Sequence, residues 1–265
     1  MNAETLLASY AQGERDFQKA ILIGVQLQGA YLNSINLNKA NLMNASLIQA
    51  NLSLAEMIKA NLINADMGHA NLRGADFTKA YLNGANLMGA SLNKAKLFST
   101  SMGGVNLIYA QLIGADIRQA NLTQSKLIGA NLSNANLQDA QLNNTNLIGA
   151  DLRGSMLLNV DFRGANLSST LINDDTQLDP KWRVIWKIAN HGGQKHDLTD
   201  ADLTEANLIG VNLKEANLKG ADLRKANLSG AFLTNAQVEG AKFKGAIGIS
   251  ENAKFDLKSR GAIFD

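Results

Sequence analysis

Between Leu22 and Ile172 a large apolar residue stands at every fifth position, 31 times in succession. Two positions before it the residue is Ala in 22 of those 31 repeats, and the exceptions are mostly small or β-branched, such as Val25, Thr100, Ser125 and Val160. The position just before it is usually Asn, Asp, Ser or Gln, and the two positions after it are mostly polar or Gly. A period of five fits neither a helix, at 3.6, nor a strand, at 2. A coil that turns every five residues does fit. Its large and small apolar residues point inward and the other three point out. Alternating Leu and Ala can fill a narrow bore. Asn and Asp suit the turns, because their side chains hydrogen-bond nearby backbone.

Two segments break the pattern and are helical in character. From Glu4 to Gly13, the residues Leu6, Leu7, Tyr10 and Ala11 share one face, and Gly13 is a stop. So short a helix needs something to cover, and it predicts a lid on the apolar end of the coil. From Thr176 to Lys195, Asp179-Pro180 starts a helix. Trp182, Ile185, Trp186 and Ala189 then form a stripe at i, i+3, i+4 and i+7, and Gly192-Gly193 ends it. The period resumes at Leu198 and reaches Phe243, with 21 extra residues spliced in. The stripe predicts that both Trp side chains lie on the coil wall. The alternative is a linker between two independent rods; against it, the second block is only about two and a half coils and would need its own cap. The organisation expected is a capping helix over 1–16, coil over 17–174, an inserted helix over 175–195, coil again over 196–245, and a C-terminal cap or tail over 246–265. In that tail Phe255, Leu257, Ile263 and Phe264 are apolar enough to plug the lower end.

The Ala-(Asn/Asp)-Leu-x-x run, as in Ala40-Asn41-Leu42 and Ala130-Asn131-Leu132, resembles the pentapeptide-repeat proteins. The Trp-Arg-x-x-Trp-x-Ile-x-Asn-x-Gly insert is similar to those of many cyanobacterial members. The Leu7-x-x-Tyr10-x-x-Gly13-x-Arg15-x-Phe17 opening is similar to that of one that regulates heterocyst differentiation. The resemblance implies an all-β solenoid: a right-handed quadrilateral β-helix, four pentapeptides per coil, with an N-terminal capping helix and one inserted helix. Coils should rise by about 4.8 Å each, so roughly eight coils make a first block of about 38 Å.

Folded at 20 residues per coil, the outward positions form columns. One column reads Gln28, Ile48, Gly68, Met88, Ile108, Ile128, Ile148 and Ser168, with Tyr109 beside it. Ile209 joins it if the chain resumes on the next face after the insert. An adjacent face offers Ile23, Met43 and Ile63. An outward apolar stripe marks a contact surface, unless a helix or a terminal segment covers it. A second column is Lys19, Lys39, Lys59 and Lys79. It reads either as a phosphate-tracking groove or as a solvated face neutralised by Asp16, Glu56 and Asp76.

Composition narrows the chemistry. The net charge of +2 and the scarcity of aromatics argue against a nucleic-acid binder. There is no Cys, and His69, His191 and His196 have no metal-ligand spacing. No phosphate-binding or nucleophile motif is present. Catalytic residues, metal ligands and a cofactor are therefore not expected. Asp66, Asp76, Asp116, Asp151, Asp202 and Asp222 read as turn residues. No segment has 18 consecutive apolar residues, and Met1 to Glu14 does not read as a secretory signal. A cytoplasmic location away from membranes is the expectation. The function expected is non-enzymatic: an interaction scaffold, open to a regulatory role, for a protein partner or for self-association. The alternative implied by the resemblance is a DNA-mimicking modulator of gyrase, which needs a strongly acidic face.

Overall fold

The computed structural model describes residues 1–265, and the chain divides into two compact units. The first is Met1–Asp161 with Thr170–Gln177; the second is Phe162–Ser169 with Leu178–Asp265.

The first unit is a right-handed quadrilateral β-helix. Through most of the coil, the residue before an inward apolar centre forms a parallel bridge to the residue 20 further on, as in Asp16 to Asn36, Asn36 to Glu56 and Glu56 to Asp76. The centres add the ladder bonds: the Leu22 N–H donates to the Asn41 carbonyl at 2.7 Å, and the Leu42 N–H to Asn61 at 2.7 Å. Between bridges the chain turns. The Ala20 N–H donates to the Phe17 carbonyl at 3.1 Å, and Lys19 between them has φ 58°. Only the second of the two turn residues is left-handed, which makes this a type II turn. The same conformation recurs at every fifth residue from Lys19 to Ser169. It costs a side chain about 1–2 kcal/mol, yet Lys, Asn, Gln, His and Tyr all adopt it here.

The coil therefore has four walls. They carry residues 16–19, 21–24, 26–29 and 31–34 and every twentieth residue after each, and are named here first to fourth. Inside, the Leu and Ala side chains from Leu32 to Leu157 are almost completely buried. Each large one contributes about 1.5–3 kcal/mol. The polar exceptions at the small inward position are satisfied by backbone. The Thr100 hydroxyl donates to the Phe77 carbonyl at 2.9 Å, and Ser125 to Met102 at 2.9 Å.

Helix α1 (Ala3–Ala11) begins at Asn2, whose side chain accepts from the Thr5 N–H at 2.8 Å. Leu6 is its one fully buried residue, while Leu7 is 39% exposed and Ala11 lies open. The apolar face is thus narrower than its sequence spacing suggests. Polar contacts do the rest. The Tyr10 hydroxyl donates to the Asn33 carbonyl at 2.8 Å, and the Arg15 guanidinium sits 3.7 Å from the Tyr10 ring centre.

In the second unit, the Gly164 N–H donates to the Glu205 carbonyl at 2.8 Å, and the Asn207 side-chain amide donates to the Gly164 carbonyl. Gly164 and Glu205 are both left-handed turn residues, with φ 69° and 58°. Within the second unit the chain thus returns after the spliced-in residues to the place beside Gly164, and by the same offset Ile209 stands beside Ser168.

Helix α2 (Pro180–His191) buries Trp182, Ile185 and Ile188. Trp182 meets Phe162 edge-on at 5.6 Å. Trp186 and Ala189, expected in the buried stripe, are only half-buried. The reason is the anchoring of the helix end. The Asn190 side-chain amide donates to the Leu167 carbonyl at 3.0 Å. Ile188 lies with Leu213 and Leu198 around the space that a Gly193 side chain would need, and Leu213 comes nearest to it. The Trp186 ring instead packs edge-on against His191 at 5.2 Å.

Helix α3 (Glu251–Ser259) starts at Ser250, whose hydroxyl oxygen accepts from the Ala253 N–H. Of the four residues expected to plug this end, Leu257 is buried and Phe264 stacks on Phe243 at 5.1 Å. Phe255 and Ile263 are 79% and 45% exposed, so the plug is smaller than expected. Arg260 supplies the remainder by donating to the Ala236 carbonyl at 2.7 Å. In earlier coils the corresponding carbonyl, such as that of Ala221, accepts from the N–H of the next coil.

Candidate functional site

The third wall of the first unit brings Ile48, Met88, Ile108, Ile128 and Ile148 into one column. The ladder ties them together: their carbonyls accept from the N–H groups of Gly29, His69, Gly89, Tyr109 and Gly129 at 2.8–2.9 Å. Met88 is 39% exposed and Ile148 36%, while Ile48, Ile108 and Ile128 are half-buried. Gln28, at the first coil of the column, is exposed and Gly68 is buried, so the apolar run is continuous from Met88 to Ile148. Ile209 belongs to the second unit and is 51% exposed.

The two edges of this wall differ. At one edge the side chains stack as amides. Asn86 donates to the Asp66 carboxylate at 2.9 Å, and Asn106 to the Asn86 oxygen at 3.0 Å. At the other edge, the turn residues alternate large and small. The Tyr109 ring, 60% exposed, occupies the space that a side chain on Gly129 would need, and His69 does the same over Gly89. Asp66 and Lys126 are the charged side chains on the wall between Met88 and Ile148 or next to it, and Asp66 is held by Asn86. The result is a continuous apolar strip between a self-satisfied amide ladder and a ring bedded on a glycine. The alternation of 109 with 129 and of 69 with 89 was present in the columns but not in the linear repeat.

The lysine column lies on the corner between the first and second walls. Lys19, Lys39, Lys59 and Lys79 are exposed and left-handed, with φ 58–59°. The carboxylates expected to neutralise them are engaged elsewhere. Asp16 accepts from Gln18, Glu56 accepts from the Asn38 amide at 2.9 Å, and Asp76 pairs with Lys96 at 3.4 Å. They stand at the far edge of the first wall, so each carboxylate reaches its neighbour there before it reaches the corner.

The six aspartates that precede a centre are turn residues. Asp66, Asp76, Asp116, Asp151, Asp202 and Asp222 each accept from the N–H two residues on, at 2.9–3.3 Å. Hydrogen bonds from the guanidinium of Arg118, Arg153 and Arg224 hold Asp116, Asp151 and Asp222 below the ordinary carboxylate range. His69, His191 and His196 are not brought together, and no cluster of three or more metal-ligating side chains exists. No helix is long and apolar enough to cross a membrane. In the second unit a pocket of about 850 Å³ opens between the last coil and α3, lined by Leu233, Val238, Leu257 and Arg260 among others. The buried Arg260 Nε has no acceptor.

The family profile described as pentapeptide repeats matches in eight copies, between residues 20 and 174 and between 197 and 247. The chain belongs to the pentapeptide-repeat family. Among solved structures, it is similar to HetL from the cyanobacterium Nostoc sp. strain PCC 7120, described as involved in heterocyst differentiation regulation. The identity is 32%, over 93% of this chain and 97% of that one, with a TM-score of 0.39. Trypsin-treated QnrB1, a plasmid-mediated fluoroquinolone resistance protein, is 22% identical over 61% of this chain and 84% of that one, with a TM-score of 0.39. Rfr23 from the cyanobacterium Cyanothece 51142 is 24% identical over 67% of this chain and 100% of that one, with a TM-score of 0.23. No curated protein sequence matches. In this pentapeptide-repeat chain the inward positions define the scaffold.

Proposed function

We propose that this pentapeptide-repeat protein is a non-enzymatic interaction scaffold whose third wall docks a protein partner. The observation that carries this reading is the unbroken strip Met88, Ile108, Ile128 and Ile148 with Tyr109 at its edge. An outward apolar column on a solvated wall loses free energy to water, and a partner surface recovers it. The flatness of a parallel ladder, with side chains repeating at about 4.8 Å, suits a broad contact more than a small ligand. Ile48 extends the strip toward the N-terminal coils. Ile209 offers a separate apolar position in the second unit.

The test is to replace Ile108 and Ile128 with Lys together. Both point outward, so circular dichroism and melting should be nearly unchanged. Proteins captured by the wild type from the native host should be lost, and any self-association seen in sedimentation should be lost as well. A folded double variant that keeps every partner and its oligomeric state overturns the reading. The DNA-mimic alternative is disfavoured by the net charge of +2 and by lysines where a mimic needs carboxylates. The protein should accordingly leave DNA supercoiling by gyrase unchanged at stoichiometric amounts, and inhibition would revive that alternative.

A further inference from the structure

Several charged side chains on these walls close on a neighbour. Lys96 pairs with Asp76, Lys195 with Glu215, Lys219 with Glu239 and Lys225 with Glu205, always one coil apart and at 3.2–3.6 Å. Others pair within a turn, as Arg118 does with Asp116 and Arg153 with Asp151. The corner column has no such pairs. Lys19, Lys39, Lys59 and Lys79 repeat one sign through four successive coils, and none makes an ion pair. They also occupy left-handed turns, where Gly or Asn is the less costly choice. Four like charges in register, with no counter-charge from the chain itself, make a basic edge open to an acidic partner.

What lies beyond the corner narrows the partner. The second wall has no charged side chain from Ile21 to Asn144. Its N-terminal coils present Ile21, Ile23, Met43, Ile63 and Tyr81, of which Ile21 is 66% exposed, Ile23 50% and Tyr81 51%. A row of unpaired ammonium groups therefore borders an uncharged, partly apolar wall. We propose that this corner docks an acidic amphipathic α-helix of a partner protein, with its carboxylates along the lysines and its apolar flank on the second wall.

The repeat lengths agree. Lysines one coil apart are spaced at about 4.8 Å, and a helix advances about 5.4 Å per turn. Four lysines span about 14 Å and three helical turns about 16 Å, a mismatch that flexible Lys stems can absorb. Acidic residues at i, i+4, i+7 and i+11 would each meet one lysine. A nucleic-acid strand would satisfy the ammonium groups but leave the Ile side chains against phosphates, with Tyr81 alone to stack on a base. The proposal does not depend on the third wall, which lies beyond the next corner.

The test uses the full chain and a labelled 18-residue helical peptide with Glu at i, i+4, i+7 and i+11 and Leu one position after each. Fluorescence anisotropy should show binding at low salt that weakens as salt is raised. Lys39→Glu combined with Lys59→Glu should weaken it by about tenfold or more. A mirrored peptide with Lys in place of each Glu should then bind the variant and not the wild type. The milder pair Lys39→Gln and Lys59→Gln should weaken the acidic peptide without gaining the mirrored one, and circular dichroism should show each variant folded. The proposal is overturned if the wild type ignores the acidic peptide or if the charge-reversed variant binds it equally well. It is also overturned if a single-stranded oligonucleotide or a phosphatidylserine vesicle binds more tightly than the peptide and displaces it.

Discussion

The ring of Tyr109 fills the space that a side chain on Gly129, one coil further on, would have to enter: a Cβ there would stand 2.5 Å from the Tyr109 Cε1. The pair holds the aromatic edge of the third wall in place. Gly129→Ala should push the ring outward and cost about 1 kcal/mol, since the position is also left-handed. In a Tyr109→Ala background the clash is gone and the same change should cost less. A double-mutant cycle read by thermal melting measures the difference, and equal costs in both backgrounds would show that the ring is not bedded on the glycine.

The two tryptophans of α2 should separate cleanly. Trp182 is buried against Phe162, whereas Trp186 is half-buried. Trp182→Ala should destabilise the second unit by about 3–5 kcal/mol, and Trp186→Ala by clearly less. Urea denaturation of the single variants decides this, and equal effects would contradict the observed orientation of the helix.

Acid should weaken the wall pairs in a defined window. Hydrogen bonds from Arg153 and Arg224 lower the pKa values of Asp151 and Asp222 below the unfolded value. A carboxylate with a depressed folded pKa adds stability above its ordinary value of 3.8, and that stability is lost as pH falls below this toward the folded value. The effect is small because the pairs face solvent. Asp151→Asn should therefore be less stable than the wild type near neutrality, and the two should converge in acid below the ordinary carboxylate pKa. Melting curves at a series of pH values measure the gap, and a gap that grows in acid would reverse the sign argued here.

Arg260 closes the last coil by bonding the Ala236 carbonyl, an acceptor that lies buried. Arg260→Ala leaves that acceptor without its donor, a loss of about 1–3 kcal/mol, and bares part of a sheet edge. The variant should melt earlier and scatter more light at high concentration. Unchanged melting and scattering would mean that α3 alone protects the edge.

Much of this architecture could be read from the sequence because burial acts on each fifth residue alone. Leu42 and Ala45 must point inward whatever surrounds them, so the coil and its walls follow from the period. The turn role of Asp66 and Asp151 was legible for the same reason, since the bond to the N–H two residues on is local. What was not legible depended on direction. Residue type could not tell whether Trp186 or Ile188 faces inward, because the rotation of α2 is set by distant bonds such as Asn190 to Leu167. Nor could it tell that Asp76 pairs with Lys96 in the next coil and not with Lys79 in its own. Phe255 was expected to plug an end and faces water instead, because the bulk of the closure passes to Leu257, Phe264 and Arg260.

The match between Gly164 and Glu205 has a bearing on how such a chain can change length. A gain or loss of one whole coil leaves every downstream side chain on its own wall and only stretches or shortens a column by one graduation. A gain or loss of a single pentapeptide would rotate everything downstream by a quarter turn and scramble both the isoleucine strip and the lysine row. The excursion through α2 returns the chain in phase. Tolerated insertions and deletions in this protein should therefore come either as full coils or as looped-out segments that rejoin where they left, and a ladder of engineered coil deletions would shorten its recognition surface in steps of one strand spacing.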